Sequence, residues 1–149
     1  MKTTSLVFKA VLFVFLTLPF TACNAQKRNI TIKQLPATAQ TFIKTHFPNQ
    51  ATSYIIEDKE LTKTEYEVHF TGGAEVEFDG QGNWKEVDMN RNLMPAGILP
   101  KNIATYIAQN YKGQQTEKIE RKRYGYKVEL ISDLELEFDK AGNFLKLDD

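Results

Sequence analysis

The sequence predicts an α+β fold: two tandem helix-plus-antiparallel-sheet units forming one domain with a continuous sheet. Three observations carry this. EVEFDGQGNW (75–84) returns as ELEFDKAGNF (135–144), and Glu75, Glu77, Phe78, Asp79, Gly82, Asn83 and Asp88 each recur sixty residues on. Upstream, Leu35, Ala39, Phe42, Ile43 and Phe47 align with Leu99, Ile103, Tyr106, Ile107 and Tyr111 at an offset of 64. After each of these helical patterns the apolar period drops to two.

The elements follow in order. The first 25 residues read as a targeting segment, with Lys2 and Lys9 ahead of the apolar stretch AVLFVFLTLPF (10–20), which is shorter than the ~20 residues a membrane span needs. Two processing sites compete. FTAC (20–23) resembles a relaxed lipobox that would leave Cys23 as a lipidated N-terminus, a lipid anchor. CNA (23–25) suits ordinary signal peptidase cleavage before Gln26, and Phe20 fits the first lipobox position poorly. Both make the chain exported, to the periplasm or anchored at the outer membrane. Cys23 is the one cysteine, so the exported part has no disulfide and no thiolate chemistry. Without Lys2 and Lys9 the balance of 19 basic and 19 acidic residues becomes 17 against 19. A nucleic-acid partner would call for a basic excess.

Repeat one spans 30–89 and repeat two 98–149. Spacings of +4, +7, +8 and +12 place the apolar residues of 36–47 and 100–111 on one helix face. Pro36 and Pro100 suit a first turn, and Pro48 and Gly113 stop the helices. TSYIIED (52–58) and TEKIER (116–121) are the first strands. Tyr66, Val68 and Phe70 alternate with Glu65, Glu67 and His69, and Ala74, Val76 and Phe78 with Glu75 and Glu77. Tyr126, Val128 and Leu130, then Leu134, Leu136 and Phe138, repeat the scheme around Lys127, Glu129, Glu135 and Glu137. Such alternation marks antiparallel strands with one face on a core and the other in water. DGQGN and DKAGN read as type I turns closed by a left-handed glycine, Gly82 or Gly142. WKEVDM (84–89) and FLKLDD (144–149) end the units. In them Val87 and Leu147 fall out of phase with Trp84 and Phe144, which requires a bulge or apolar residues on both faces. The connector 90–100 carries Leu93, Met94, Ile98 and Leu99 and is expected to pack on the protein.

These residues give the chain a resemblance. LP…FI…HFP, YEVHF…GGAEVEFDGQGNW, ILP…YIAQNY and YKVEL…LELEFDKAGNF, over 30–149, resemble the PepSY-like, β-lactamase-inhibitor-like family of exported bacterial proteins. The resemblance implies tandem units sharing one curved sheet and an unassigned function. It supplies no catalytic residues.

The chemistry is sparse. DGQGN and DKAGN lack the alternating oxygen ligands and the twelfth-position Glu of a calcium loop. His46 falls at a helix end. His69 with Glu67 or Glu75 could be imagined around zinc, but no metal-ligand spacing accompanies them, and chelation is expected to change nothing. Ser53 and Ser132 lie outside any G-x-S-x-G context. RKRYGY (121–126) reads as an edge hairpin kept soluble by charge. No enzyme activity and no cofactor is expected. What remains is a surface: Glu65, Glu67, His69, Glu75, Glu77, Glu129, Glu135 and Glu137, with Lys85 and Lys127, as a face for a protein partner. The alternative is a small-molecule or envelope-component site in a cleft between the units, lined by Trp84, Tyr124 and Tyr126.

Overall fold

The computed structural model describes residues 26–148, so the leader and Cys23 lie outside the described residues. Helix α1 (Ala37–His46), entered through a 3-10 turn at Ile32–Gln34, and helix α2 (Lys101–Asn110) occupy corresponding places in the two repeats. Nine strands make one sheet: β1 (Gln26–Asn29), β2 (Thr52–Lys59), β3 (Thr64–Phe70), β4 (Glu75–Asp79), β5 (Trp84–Asp88), β6 (Thr116–Arg121), β7 (Gly125–Leu130), β8 (Glu135–Asp139) and β9 (Phe144–Asp148). They pair antiparallel in chain order, leaving β1 and β9 as the two edges of an open sheet. The seam between the repeats is the β5–β6 pair, which aligns Val87 with Ile119.

The register explains the core. Ile55, Val68, Val76, Val87, Ile119, Val128, Leu136 and Leu147 lie in one row across β2 to β9. All are buried except Leu147, which is 46% exposed. The difference is positional. The outer side of β5 is covered by β6, whereas that of β9 has no following strand. Both helices lie on this apolar side. Phe42 meets Phe78 edge-on at 5.6 Å, and Tyr106 meets Phe138 the same way at 5.5 Å. One buried cluster takes in Ala39, Ile43, Ile103 and Ile107 with the strand residues, so the repeats share a core that neither would fill alone.

The phase conflict in the last strand of each unit resolves as a bulge. Phe78 opposes Trp84 and Glu77 opposes Glu86, leaving Lys85 as the extra residue. Phe138–Phe144 and Glu137–Lys146 repeat this around Leu145. The turns close as read from the sequence. Asp79 Oδ1 accepts from the Gln81 and Asn83 amides at 2.9 Å, and Asp139 Oδ1 from Ala141 and Asn143 at 2.9 and 2.8 Å. Gly82 and Gly142 stand at φ +83° and +82°.

Four expectations need correction. A sheet of eight strands becomes nine, because β1 pairs with the edge of β2. RKRYGY is no edge hairpin: β6 lies between β5 and β7, and β7 between β6 and β8, so only its turn projects. In the connector Ile98 is buried and Met94 and Leu99 pack on the core, but Leu93 is exposed. Leu134, placed on the core phase with Ala74, is likewise exposed while Ala74 is buried.

Candidate functional site

The side of the sheet away from the helices is built from two rows of polar residues that flank the apolar row. One row reads Ile56, Glu67, Glu77, Glu86, Glu120, Lys127, Glu137, Lys146 across β2 to β9. The other reads Tyr54, His69, Glu75, Asp88, Lys118, Glu129, Glu135, Asp148. Glu67, Glu77, Glu86 and Glu120 are therefore four successive carboxylates on neighbouring strands, across the seam. Like charges directly opposite each other destabilise a sheet by a few tenths of a kcal/mol or more.

The repeats divide the charge unequally. In repeat two, Lys118, Lys127 and Lys146 occupy the row positions that Tyr54, Glu67 and Glu86 hold in repeat one. Lys127 bridges Glu135 at 2.7 Å and Asp148 at 3.0 Å, and these hydrogen-bonded carboxylates hold its ammonium well above the usual lysine range. Lys146 reaches Asp148 at 3.0 Å and Glu137 at 3.7 Å. Repeat one has no lysine in these two rows, and its cations come from outside them or across the seam. Lys27 of the edge strand lies 3.5 Å from Glu67, Lys118 of repeat two pairs with Glu86 at 2.5 Å, and the bulge residue Lys85 pairs with Glu65 and stands 3.7 Å from Glu77. Burial and the neighbouring acids raise the carboxyl pKa of both Glu75 and Glu86, against the counter-pull of His69 and Lys118 respectively. The acidic excess thus concentrates on repeat one and the seam.

The sequence reading places Glu65, Glu67, His69, Glu75, Glu77, Glu129, Glu135 and Glu137 on the polar phase, and the structure gathers them on this face. It adds Glu86, Asp88, Lys118 and Glu120. Glu86 and Asp88 were hidden because the bulge at Lys85 reverses their phase relative to Trp84. Glu120 and Lys118 were hidden because only pairing across the seam lines them up with repeat one.

The three aromatic cleft residues are divided: Trp84 and Tyr126 lie on the helix side, flanking Arg121, and Tyr124 lies apart from them. Trp84 is buried on the helix side, 6.2 Å from Phe42, with the Arg121 guanidinium 3.8 Å from its ring centroid. Tyr126 is half-buried on that same side, paired with Phe138 and Arg121. Tyr124 sits on the turn beside Glu137. Desolvation and then that carboxylate push its hydroxyl up to about 12. A groove of about 730 Å³ lies instead beside α1, lined by Ile32, Gln40, Phe47 and Gln50 among others. It belongs to repeat one alone. No described helix is long and apolar enough to cross a membrane.

The comparisons with known proteins agree with this architecture. A family model described as "Putative beta-lactamase-inhibitor-like, PepSY-like" matches twice, over residues 21–68 and 64–146. The chain belongs to this family. It is similar to a "putative calcium-regulated periplasmic protein" of Bacteroides thetaiotaomicron, at 37% identity and a TM-score of 0.79, over 83% of this chain and 97% of that one. Two Bacteroides vulgatus proteins also match at 37% identity and a TM-score of 0.78, each over 83% of this chain. One, described as a "putative periplasmic protein from DUF2874 family", is covered over 97% of its length, and the other, "of unknown function", over 100%. No curated protein matches.

Proposed function

We propose that this chain is an exported, non-enzymatic binding or inhibitor-like module that docks on a protein partner through the polar face of its sheet. The carrying observation is the unbroken run Glu67–Glu77–Glu86–Glu120. Repeat two shows that the fold accepts lysines in the same rows, so the acidic run is not a demand of the architecture. A fold that keeps like charges adjacent accepts a stability cost, and a complementary basic surface on a partner offsets it on binding. Nine strands span roughly 38 Å, and five residues of strand about 17 Å. That footprint is close to the ~800 Å² per partner of a standard interface. The periplasmic description of the relatives and the leader-like residues 1–25 support an exported location.

One relative is described as calcium-regulated. The paired turns at Asp79 and Asp139 do not suit calcium in this chain. The Asp79 and Asp139 carboxylates are taken up by the turn amides and by the side-chain amides of Asn83 and Asn143, at 3.0 and 2.9 Å to Oδ2.

Photo-cross-linking in the periplasm tests the docking face. A cross-linking residue at Glu77, Glu86 or Glu137 is expected to capture a discrete partner. The same residue at Lys44 of α1 or Gln109 of α2, both exposed, is expected to capture none. Capture from the helix positions alone would overturn the proposal.

A further inference from the structure

We propose that Glu67, His69 and Glu75 form a binding site for a divalent transition metal of the zinc class. One ligand atom from each of the three lies within 4.8 Å of the others. His69 Nδ1 is 3.2 Å from Glu75 Oε2, and Nε2 is 3.6 Å from Glu67 Oε2. Zinc binds imidazole nitrogen and carboxylate oxygen at about 2.0–2.2 Å in a tetrahedral arrangement, so its ligand atoms stand roughly 3.3 Å apart. A metal takes one ring nitrogen, so with Nε2 as the ligand beside Glu67 the Glu75 side chain has to turn from Nδ1 to join the shell. Calcium takes six to eight oxygen ligands, and an imidazole at the centre of the cluster selects against it.

The histidine supplies a second, independent observation. Its Nε2 is buried from solvent and has no hydrogen-bond partner among the described residues. An unmet buried donor or acceptor costs about 1–3 kcal/mol. The ring is also held in place. Tyr54, its cross-strand neighbour, stacks on it at 4.2 Å with an interplanar angle of 23°.

Comparison of the repeats sharpens the case. Glu135, the counterpart of Glu75, has the Lys127 ammonium 2.7 Å away. The position of Lys127 is Glu67 in repeat one, and the position of Lys118 is Tyr54. Repeat two has a lysine where repeat one has the carboxylate of Glu67, and a carboxylate, Glu129, where repeat one has the imidazole of His69. The Lys27 ammonium is the nearest positive group, at 3.5 Å from Glu67 Oε1 and 3.2 Å from Asp58 Oδ2, which leaves Glu67 Oε2 toward His69. This site does not rest on the docking proposal, and it departs from the sequence expectation that chelation is without effect.

The rival is a protonated His69 paired with two carboxylates and no metal. Calorimetric titration of the untagged, metal-stripped protein with zinc and, separately, calcium decides between them, with the two histidine ring signals followed by NMR. One zinc per chain is expected, with calcium neither binding there nor competing. Zinc should move the His69 ring signals and leave those of His46. His69→Gln should weaken binding by no less than the ~10–100-fold that loss of a supporting outer partner costs, and His46→Gln and Glu135→Gln should leave it unchanged. Absence of zinc binding by the wild type, ring shifts at His46 instead of His69, or a preference for calcium would overturn the proposal. The NMR reading uses the wild type, so it stands even if His69→Gln does not fold.

Discussion

Gly82→Val is expected to destabilise the fold by about 3–5 kcal/mol, and Gly142→Val by less. Two costs add at Gly82. Its φ of +83° lies in the left-handed region, where a β-branched residue is a genuine outlier, at about 1–3 kcal/mol. A Cβ there would also stand 2.7 Å from Pro36 Cβ and 2.9 Å from the Ala39 amide nitrogen, because the turn packs on the first turn of α1. Such overpacking adds about 1–3 kcal/mol, and backbone cannot swing away. At Gly142 the φ is the same, but the nearest atoms are Asn102 Cβ at 3.0 Å and Ile103 Cγ1 at 3.3 Å. These side-chain contacts ask for a smaller adjustment. Thermal melts of the two variants check the order. Equal, unchanged melting temperatures would show that the turns do not seat against the helices.

Gly125→Ala is expected to be at least as damaging. At φ +159° the backbone is one that residues with a side chain rarely adopt, and space is short as well. A Cβ would fall 2.1 Å from the Phe138 carbonyl oxygen and 2.3 Å from the Asp139 carbonyl carbon, at the start of the β7–β8 ladder where Gly125 pairs with Asp139. The ladder has to open locally or shift. The expected cost is about 3 kcal/mol or more, at the upper end for an overpacked site. Hydrogen exchange should localise the damage to β7 and β8 and spare β2–β4. A variant that melts like the wild type would contradict the close approach.

The helices, the turns and eight of the strands were legible because each rests on a local signal: a helical spacing, an alternation, or an Asp–Gly turn. β1 was not. Gln26–Asn29 is polar and exposed throughout, and nothing but its pairing to β2 makes it a strand. The candidate face was half legible. Glu65, Glu67, Glu75 and Glu77 alternate openly with apolar residues, but Glu86 sits behind a bulge and Glu120 joins the row only through the seam. Pairing across strands cannot be read from either segment alone. The same reason left His69 and Glu75 as neighbours by guess. They lie in different strands and meet only in the β3–β4 register. Tyr124 was not placed by the sequence, because the alternation of a strand does not fix which face of the sheet a turn residue joins.

The structure also changes which residues to alter in testing the docking face. Reversing Glu75, Glu77, Glu135 and Glu137 to lysine, the obvious choice from sequence, would set new lysines beside Lys127 and Lys146. Neutralising Glu67, Glu77, Glu86 and Glu120 to glutamine removes the acidic run and relieves like-charge neighbours. The pairs it breaks are half-buried, but glutamine keeps the shape and a hydrogen-bonding end at each position, so folding should survive. The deciding measurement is the association rate of the wild type and this quadruple variant with the cross-linked partner, at low and at high salt. Surface charges act across about 10 Å at 0.1 M salt, and steering raises association rates by roughly 10–1000-fold when it operates. The expected result is a variant at least about tenfold slower at low salt, with the two rates converging at high salt. Equal rates at low salt would contradict docking through the acidic run.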